Sequence, residues 1–216
     1  MRFDAVLFDC DGVLVDSEPI TNAVLRQMLG ELGWQMSQQE CMQLFTGKSL
    51  KDELAIIAGH VGYSPDGRWL QQFQQRRNAA LQKELTAVPD IHAAVAQIHA
   101  SVQARIACAS GADRFKVEMQ LRLVGLYEFF DGRIFSGYET PRSKPFPDVY
   151  LAAAEALRVP PLRCAVVEDT VTGVTAGVAA GATVFAYVPC GDAAPLRDAG
   201  AAEVFTSMAD LPMLMQ

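Results

Sequence analysis

The stretch Ala5-Val6-Leu7-Phe8-Asp9-Cys10-Asp11-Gly12 constrains the chain more than any other, because an apolar run with strand character delivers two carboxylates that close together. Strand side chains alternate, so Asp9 and Asp11 share one face while the strand lasts, and Gly12 permits a sharp turn past its carboxyl end. That end is where open α/β sheets place ligands. Neighbouring carboxylates repel when both are ionised; a divalent cation between them or a proton on one relieves this. Both remedies suit phosphoryl transfer, in which one carboxylate attacks phosphorus, the other exchanges a proton with the leaving oxygen, and Mg²⁺ neutralises the phosphate. By itself D-x-D-G also suits a turn whose aspartates cap the next helix.

Organisation beyond the motif narrows the choice. From Ser17 to Val88 the pattern is helical: Glu18-Pro19 opens a helix with Val24, Leu25, Met28, Leu29 and Leu32 at three- and four-residue spacing, and Gly33 stops it. Further helices are expected over 49–58 and 66–85, with Trp34 and Trp69 as packing residues and no strand pattern between. After Pro89-Asp90 the register alternates, with strands near 104–109, 132–135, 164–167 and 183–188 between helices near 91–101, 114–123, 147–157 and 174–180, and a last short strand and helix over 201–216. Such alternation builds a parallel sheet covered on both faces. The expected fold is therefore α/β, a Rossmann-like three-layer core from residues 1–16 and 89–216, with an inserted all-helical cap domain over 17–88.

Each later strand ends in polar residues. Ser110-Gly111 offers a hydroxyl and freely oriented backbone N–H groups for phosphate oxygens, or a helix N-cap. Lys144 sits in Ser143-Lys144-Pro145-Phe146-Pro147, where two prolines stiffen the loop, so its ammonium is preorganised or is simply a surface charge. Glu168-Asp169 opens the next helix; the pair complements the helix dipole or supplies hard oxygen ligands for Mg²⁺ with Asp9 and the main-chain carbonyl of Asp11. His60, His92 and His99 lack metal-ligand spacing.

The 216 residues carry a net charge of −7, which argues against nucleic acid or anionic membrane as a partner. Five scattered cysteines without C-x-x-C spacing read as buried thiols of a reducing cytoplasm. Asp4, Asp9 and Asp11 interrupt the amino-terminal apolar run, so it is expected to be neither signal peptide nor membrane span, and a cytoplasmic protein is expected.

In sequence order, D-x-D-G, Ser110, Lys144-Pro145 and Glu168-Asp169 resemble the haloacid dehalogenase superfamily of aspartate-nucleophile phosphatases. The likeness spans essentially the whole chain. It is greatest to the subgroup with a small helical cap after the first motif, which includes phosphoglycolate phosphatase, β-phosphoglucomutase and sugar-phosphate phosphatases; Phe135-Ser136-Gly137-Tyr138-Glu139 is similar to 6-phosphogluconate phosphatase-like members. The resemblance implies Asp9 as nucleophile, Asp11 as general acid then base, Ser110 and Lys144 on the phosphoryl oxygens, Asp169 as direct metal ligand, and Glu168 as a ligand or the holder of a metal-bound water. Val13 and Gly111 depart from the commoner threonine and Asn or Ser at their positions.

Asp11 argues against a dehalogenase, which lacks that second acid. Thr21 stands where the related sugar mutases carry a cap histidine, which favours hydrolysis over a β-phosphoglucomutase-like reaction. Phosphonatases use a cap lysine, and Lys48 and Lys51 keep that class open. A receiver domain is shorter and has no helical insert, and a silent metabolite-binding protein would not need every catalytic position filled. The expectation is a Mg²⁺-dependent phosphatase, a monomer acting on a small phosphorylated metabolite, with Lys48 in the turn Thr46-Gly47-Lys48-Ser49 as a substrate contact.

Overall fold

The computed structural model describes residues 2–45 and 50–216. In chain order these form β1 (Ala5–Phe8), α1 (Glu18–Glu31), α2 (Gln38–Phe45), α3 (Leu50–Val61), α4 (Gly67–Glu84), α5 (Ile91–Ser101), β2 (Ile106–Ser110), α6 (Arg114–Leu123), α7 (Tyr127–Phe130), β3 (Ile134–Ser136), α8 (Asp148–Ala156), β4 (Cys164–Glu168), α9 (Val171–Ala179), β5 (Thr183–Tyr187), α10 (Ala194–Asp198), β6 (Glu203–Phe205) and α11 (Leu211–Leu214). The strands make one parallel sheet in the order β3-β2-β1-β4-β5-β6. This is the expected α/β, Rossmann-like arrangement.

Strand alternation divides the sheet's side chains between two layers. Ala5, Leu7, Ala107, Ala109, Val166, Val184 and Ala186 pack with Val149, Tyr150 and Ala153 of α8 and Val174 and Ala176 of α9. Phe8, which points the other way, meets Phe130 of α7 edge to face at 5.9 Å. Burial on both faces explains why the central strands β1, β2 and β4 are short, almost wholly apolar runs, whereas the edge strand β6 exposes Glu203.

The chain divides into two compact units, Met1–Asp16 with Thr86–Gln216, and Ser17–Leu85. Residues 86–88, read from the sequence as the end of the helical segment, are tied to the β1 exit: Asp16 N–H donates to Thr86 O at 3.0 Å, and Val15 bridges Ala87 antiparallel. Within the helical unit, Leu25, Met28, Leu29, Cys41, Phe45, Ile57 and Phe73 form a core, with Trp34 and Trp69 packed against it.

Helix α2 had no reading of its own in the sequence. Its amino terminus is a capping box: Glu40 Oε2 accepts from Ser37 N at 2.7 Å, and Ser37 Oγ accepts from Glu40 N at 3.2 Å. Cys10, Cys41, Cys108 and Cys164 are buried thiols as expected, whereas Cys190 is exposed, because it lies in the loop after β5. Among the described residues no helix is long and apolar enough to cross a membrane.

Candidate active site

The sheet register brings three strand ends together. Phe8 pairs with Cys108 on one side and Val167 on the other, and Asp9 N–H donates to Val167 O at 2.9 Å, so Asp9 leaves the sheet beside Glu168 and near Ser110. The strand ends at Phe8, and strand alternation therefore does not govern Asp11. Gly12 takes φ of 78°, and its N–H donates to Val15 O at 2.8 Å, folding the loop back on itself. A Cβ on Gly12 would lie 1.9 Å from Asp169 Oδ2, so the missing side chain is what lets the β1 and β4 loops meet.

Lys144 is the centre of this meeting point. Its ammonium lies 2.5 Å from Asp9 Oδ1 and 2.6 Å from Glu168 Oε1, and 4.8 Å above the Tyr150 ring. Tyr150, on α8, donates its hydroxyl to Glu168 Oε1 at 2.8 Å. The other Glu168 oxygen accepts from the backbone N–H groups of Asp169 and Thr170, at 2.9 and 3.1 Å, and from Thr170 Oγ1 at 3.1 Å. Asp9, Lys144 and Glu168 are all buried.

One ammonium between two buried carboxylates produces an uneven charge distribution. Burial opposes ionisation of Glu168 but is outweighed by Lys144, Tyr150 and the Thr170 N–H, which hold this carboxyl low. Burial likewise opposes the charge of Lys144, and Asp9 and Glu168 together hold the ammonium well above its usual range. Asp9 is left with the deficit: burial pushes its carboxyl up to about 7 against the pull of Lys144, with Glu168 and Asp11 adding to the rise.

Asp9, Glu168 and Asp169 each offer a carboxylate oxygen, all within 4.8 Å of one another. When ionised, these three against the single Lys144 leave two negative charges on hard oxygen donors, which fits a divalent cation. The Asp11 carboxylate is outside this group and faces α6 instead: Oδ1 accepts from Lys116 Nζ at 2.7 Å and Gln120 Nε2 at 2.8 Å.

Ser110 is buried, and its Oγ accepts from Ala112 N–H at 3.1 Å. It is not the cap of α6; Asp113 is, accepting from Lys116 N–H at 2.9 Å. Gly111 lies close to Gly137, where a Cβ would meet the Gly111 Cα at 3.4 Å and Ser143 Oγ at 2.7 Å, so this corner is built from small residues. Lys48 lies outside the described residues.

The structure thus gathers Asp9, Lys144, Glu168 and Asp169, places Ser110 and Gly111 at the neighbouring strand end, and sends Asp11 to a different set of partners. Sequence reading missed Lys116, Gln120, Tyr150 and Thr170. Lys116 and Gln120 did carry a signal, being polar at i and i+4 in a helix that also buries Val117 and Leu121.

Buried carboxylates gathered on one lysine at the carboxyl edge of a parallel sheet have the composition and place of an α/β active site. The chain belongs to the haloacid dehalogenase-like hydrolases, whose family profile matches residues 3–181. It is 30% identical over 192 residues to the 6-phosphogluconate phosphatase of Escherichia coli K12, covering 88% of this chain and 84% of that protein. Hexitol phosphatase B of the same organism is 30% identical over 180 residues, covering 82% and 79%. A solved HAD family hydrolase from Deinococcus radiodurans, with bound phosphate and sodium, has a TM-score of 0.79 at 38% identity and covers 97% of this chain and 93% of that one.

Proposed function

We propose that this protein is a Mg²⁺-dependent phosphatase that hydrolyses a small phosphorylated metabolite, a sugar phosphate or related phosphomonoester, through an aspartyl-phosphate on Asp9. The observation that carries this reading is the Lys144 ammonium lying between the buried carboxylates of Asp9 and Glu168. The 6-phosphogluconate and hexitol phosphatases among its relatives support the substrate class.

Asp9, Asp169 and the main-chain carbonyl of Asp11 would hold the cation. Glu168, whose oxygens accept hydrogen bonds from Lys144, Tyr150, Asp169 and Thr170, orients Lys144 and the loop around the metal. The bound cation supplies charge neutralisation for the phosphoryl group. An Asp9 oxygen attacks phosphorus, the P–O ester bond breaks, and its electron pair leaves with the ester oxygen, which takes a proton from the Asp11 carboxyl. Ser110, the backbone N–H of Gly111 and Lys144 hold the phosphoryl oxygens. Water then attacks the phosphorus, the Asp11 carboxylate accepts its proton, the bond between phosphorus and the Asp9 oxygen breaks with its electron pair returning to Asp9, and orthophosphate and the free Asp9 carboxylate result.

Substrate choice is assigned to the helical segment inserted after β1, with Lys48 as a contact; Lys48→Ala should raise KM for a metabolite substrate and leave aryl phosphates unchanged. We assign the protein to the cytoplasm, a reading supported by its free thiols, and take it to act as a monomer.

The test is release of phosphate from p-nitrophenyl phosphate with Mg²⁺ and from a panel of phosphorylated sugars. Turnover by wild type and none by Asp9→Asn is the expected result. No release from any compound, or undiminished release by Asp9→Asn, would overturn it.

A further inference from the structure

We infer that Lys116 and Gln120 of α6 are positioning residues for the proton transfer, fixing the Asp11 carboxylate so that its Oδ2 is the oxygen that gives and takes the proton. This rests on the assignment of Asp11 as acid and base above.

Both donors end on the same atom. Lys116 Nζ is 2.7 Å and Gln120 Nε2 is 2.8 Å from Asp11 Oδ1. An oxygen that accepts from an ammonium and an amide has its lone pairs committed, so a proton added to this carboxyl goes to Oδ2. The two donors lie one helical turn apart, which fixes the plane of the carboxyl group as well as its position.

The donors are themselves held. Gln120 is fully buried, and its Oε1 accepts the Cys10 thiol at 3.6 Å, which turns the amide nitrogen toward Asp11. Lys116 is 6% exposed, and the Asp113 side chain anchors its backbone at the start of the helix. Cys10 thereby links the residue between the two aspartates to the helix that orients the second one. A lysine buried at this cost and spent on a single carboxylate oxygen is a device for geometry, because a mobile surface lysine would supply charge alone.

A correctly placed acid matters most when the departing oxygen is strongly basic and least when it leaves easily. A series of substituted phenyl phosphates varies that basicity at nearly constant size, and kcat/KM reports only the steps up to release of the phenol. Wild type with Mg²⁺ should show a shallow dependence of kcat/KM on leaving-group basicity. Asp11→Asn should show a steep one. Lys116→Met and Gln120→Met should move toward Asp11→Asn, losing about tenfold or more on phenyl phosphate relative to p-nitrophenyl phosphate. Lys116→Arg, which keeps a donor, should recover part of the wild-type behaviour.

A uniform loss across the series in Lys116→Met and Gln120→Met, with the wild-type slope kept, would overturn the inference while leaving Asp11 as the acid. A wild-type slope in Asp11→Asn would overturn the acid assignment itself, and the inference with it. If Lys116→Met does not fold, Gln120→Met and Lys116→Arg decide the matter by the same slopes.

Discussion

The Glu168 carboxylate lies so close over Gly173 that a Cβ there would stand 1.7 Å from Oε1. Gly173 belongs to the first turn of α9, where its N–H donates to Thr170 Oγ1 at 3.1 Å, so the helix cannot simply retreat. Gly173→Ala should push Glu168 aside and draw Lys144 away from Asp9. The expected outcome is a fall in kcat of about tenfold or more and a lowered Tm, since overpacking at a buried site costs about 1–3 kcal/mol. Wild-type kcat and Tm in the variant would contradict it.

The raised carboxyl of Asp9 gives stability a pH dependence when divalent cations are chelated. Its folded value of about 7 lies above the ordinary 3.8, so between the two the folded protein keeps a proton that the unfolded chain has released. Stability contributed by this group is therefore present at low pH and falls as pH rises toward 7. Asp9→Asn removes the titration. In EDTA the variant should match wild type near about pH 4 and exceed it in Tm near about pH 8; parallel Tm curves for the two proteins would refute this.

Removing the ammonium tests the charge count. Lys144→Met leaves Asp9 and Glu168 buried without their shared partner, a change that costs about 3–5 kcal/mol where a buried ion pair is broken. Mg²⁺ should restore part of the loss, because a cation held by Asp9 and Asp169 would put positive charge beside both Asp9 and Glu168. Urea unfolding midpoints with Mg²⁺ and with EDTA give the answer: the deficit of the variant should be larger in EDTA, and equal deficits would count against a cation site among these residues.

Ser37→Ala provides a contrasting case in the helical unit. It deletes the Ser37 half of the capping box at the start of α2 and should cost about 1 kcal/mol of that unit's stability. The rate on p-nitrophenyl phosphate should stay at the wild-type value. A drop in kcat without a shift in the unfolding midpoint would be the wrong result.

Periodicity made the layers of the fold readable in advance, since central strands buried on both faces read as apolar runs, and helices such as α5 and α8 bury apolar residues at three- and four-residue spacing. Boundaries were less readable. The sequence placed the third strand at 132–135, but Gly132 adopts φ of 70° in the preceding turn, and the strand begins at Ile134. Asp9, Lys144, Glu168 and Asp169 could be singled out because each follows an apolar strand or, for Lys144, directly precedes the prolines at 145 and 147. Lys116 and Gln120 showed only their i, i+4 spacing, which does not set them apart from the lysines and glutamines that face water in most helices. Only the packing of α6 against the sheet edge turns them toward Asp11. Tyr150 was hidden for the opposite reason: on a buried helix face it looks like any core aromatic until its hydroxyl is seen on Glu168.

The strand order carries a consequence for how the molecule comes into being. β1 is made first, yet Val6 pairs with Ile106 on one side and Ala165 on the other, so the strand bearing Asp9 waits for both neighbours while most of the chain is synthesised. Asp9, Lys144 and Glu168 come from widely separated parts of the chain and become neighbours only when β4 docks. A ribosome-bound fragment that ends before Cys164 has Asp9 but neither Glu168 nor Asp169. Acquisition of activity should therefore mark completion of the central sheet, and truncated or misassembled chains should be inert toward the phosphate esters around them.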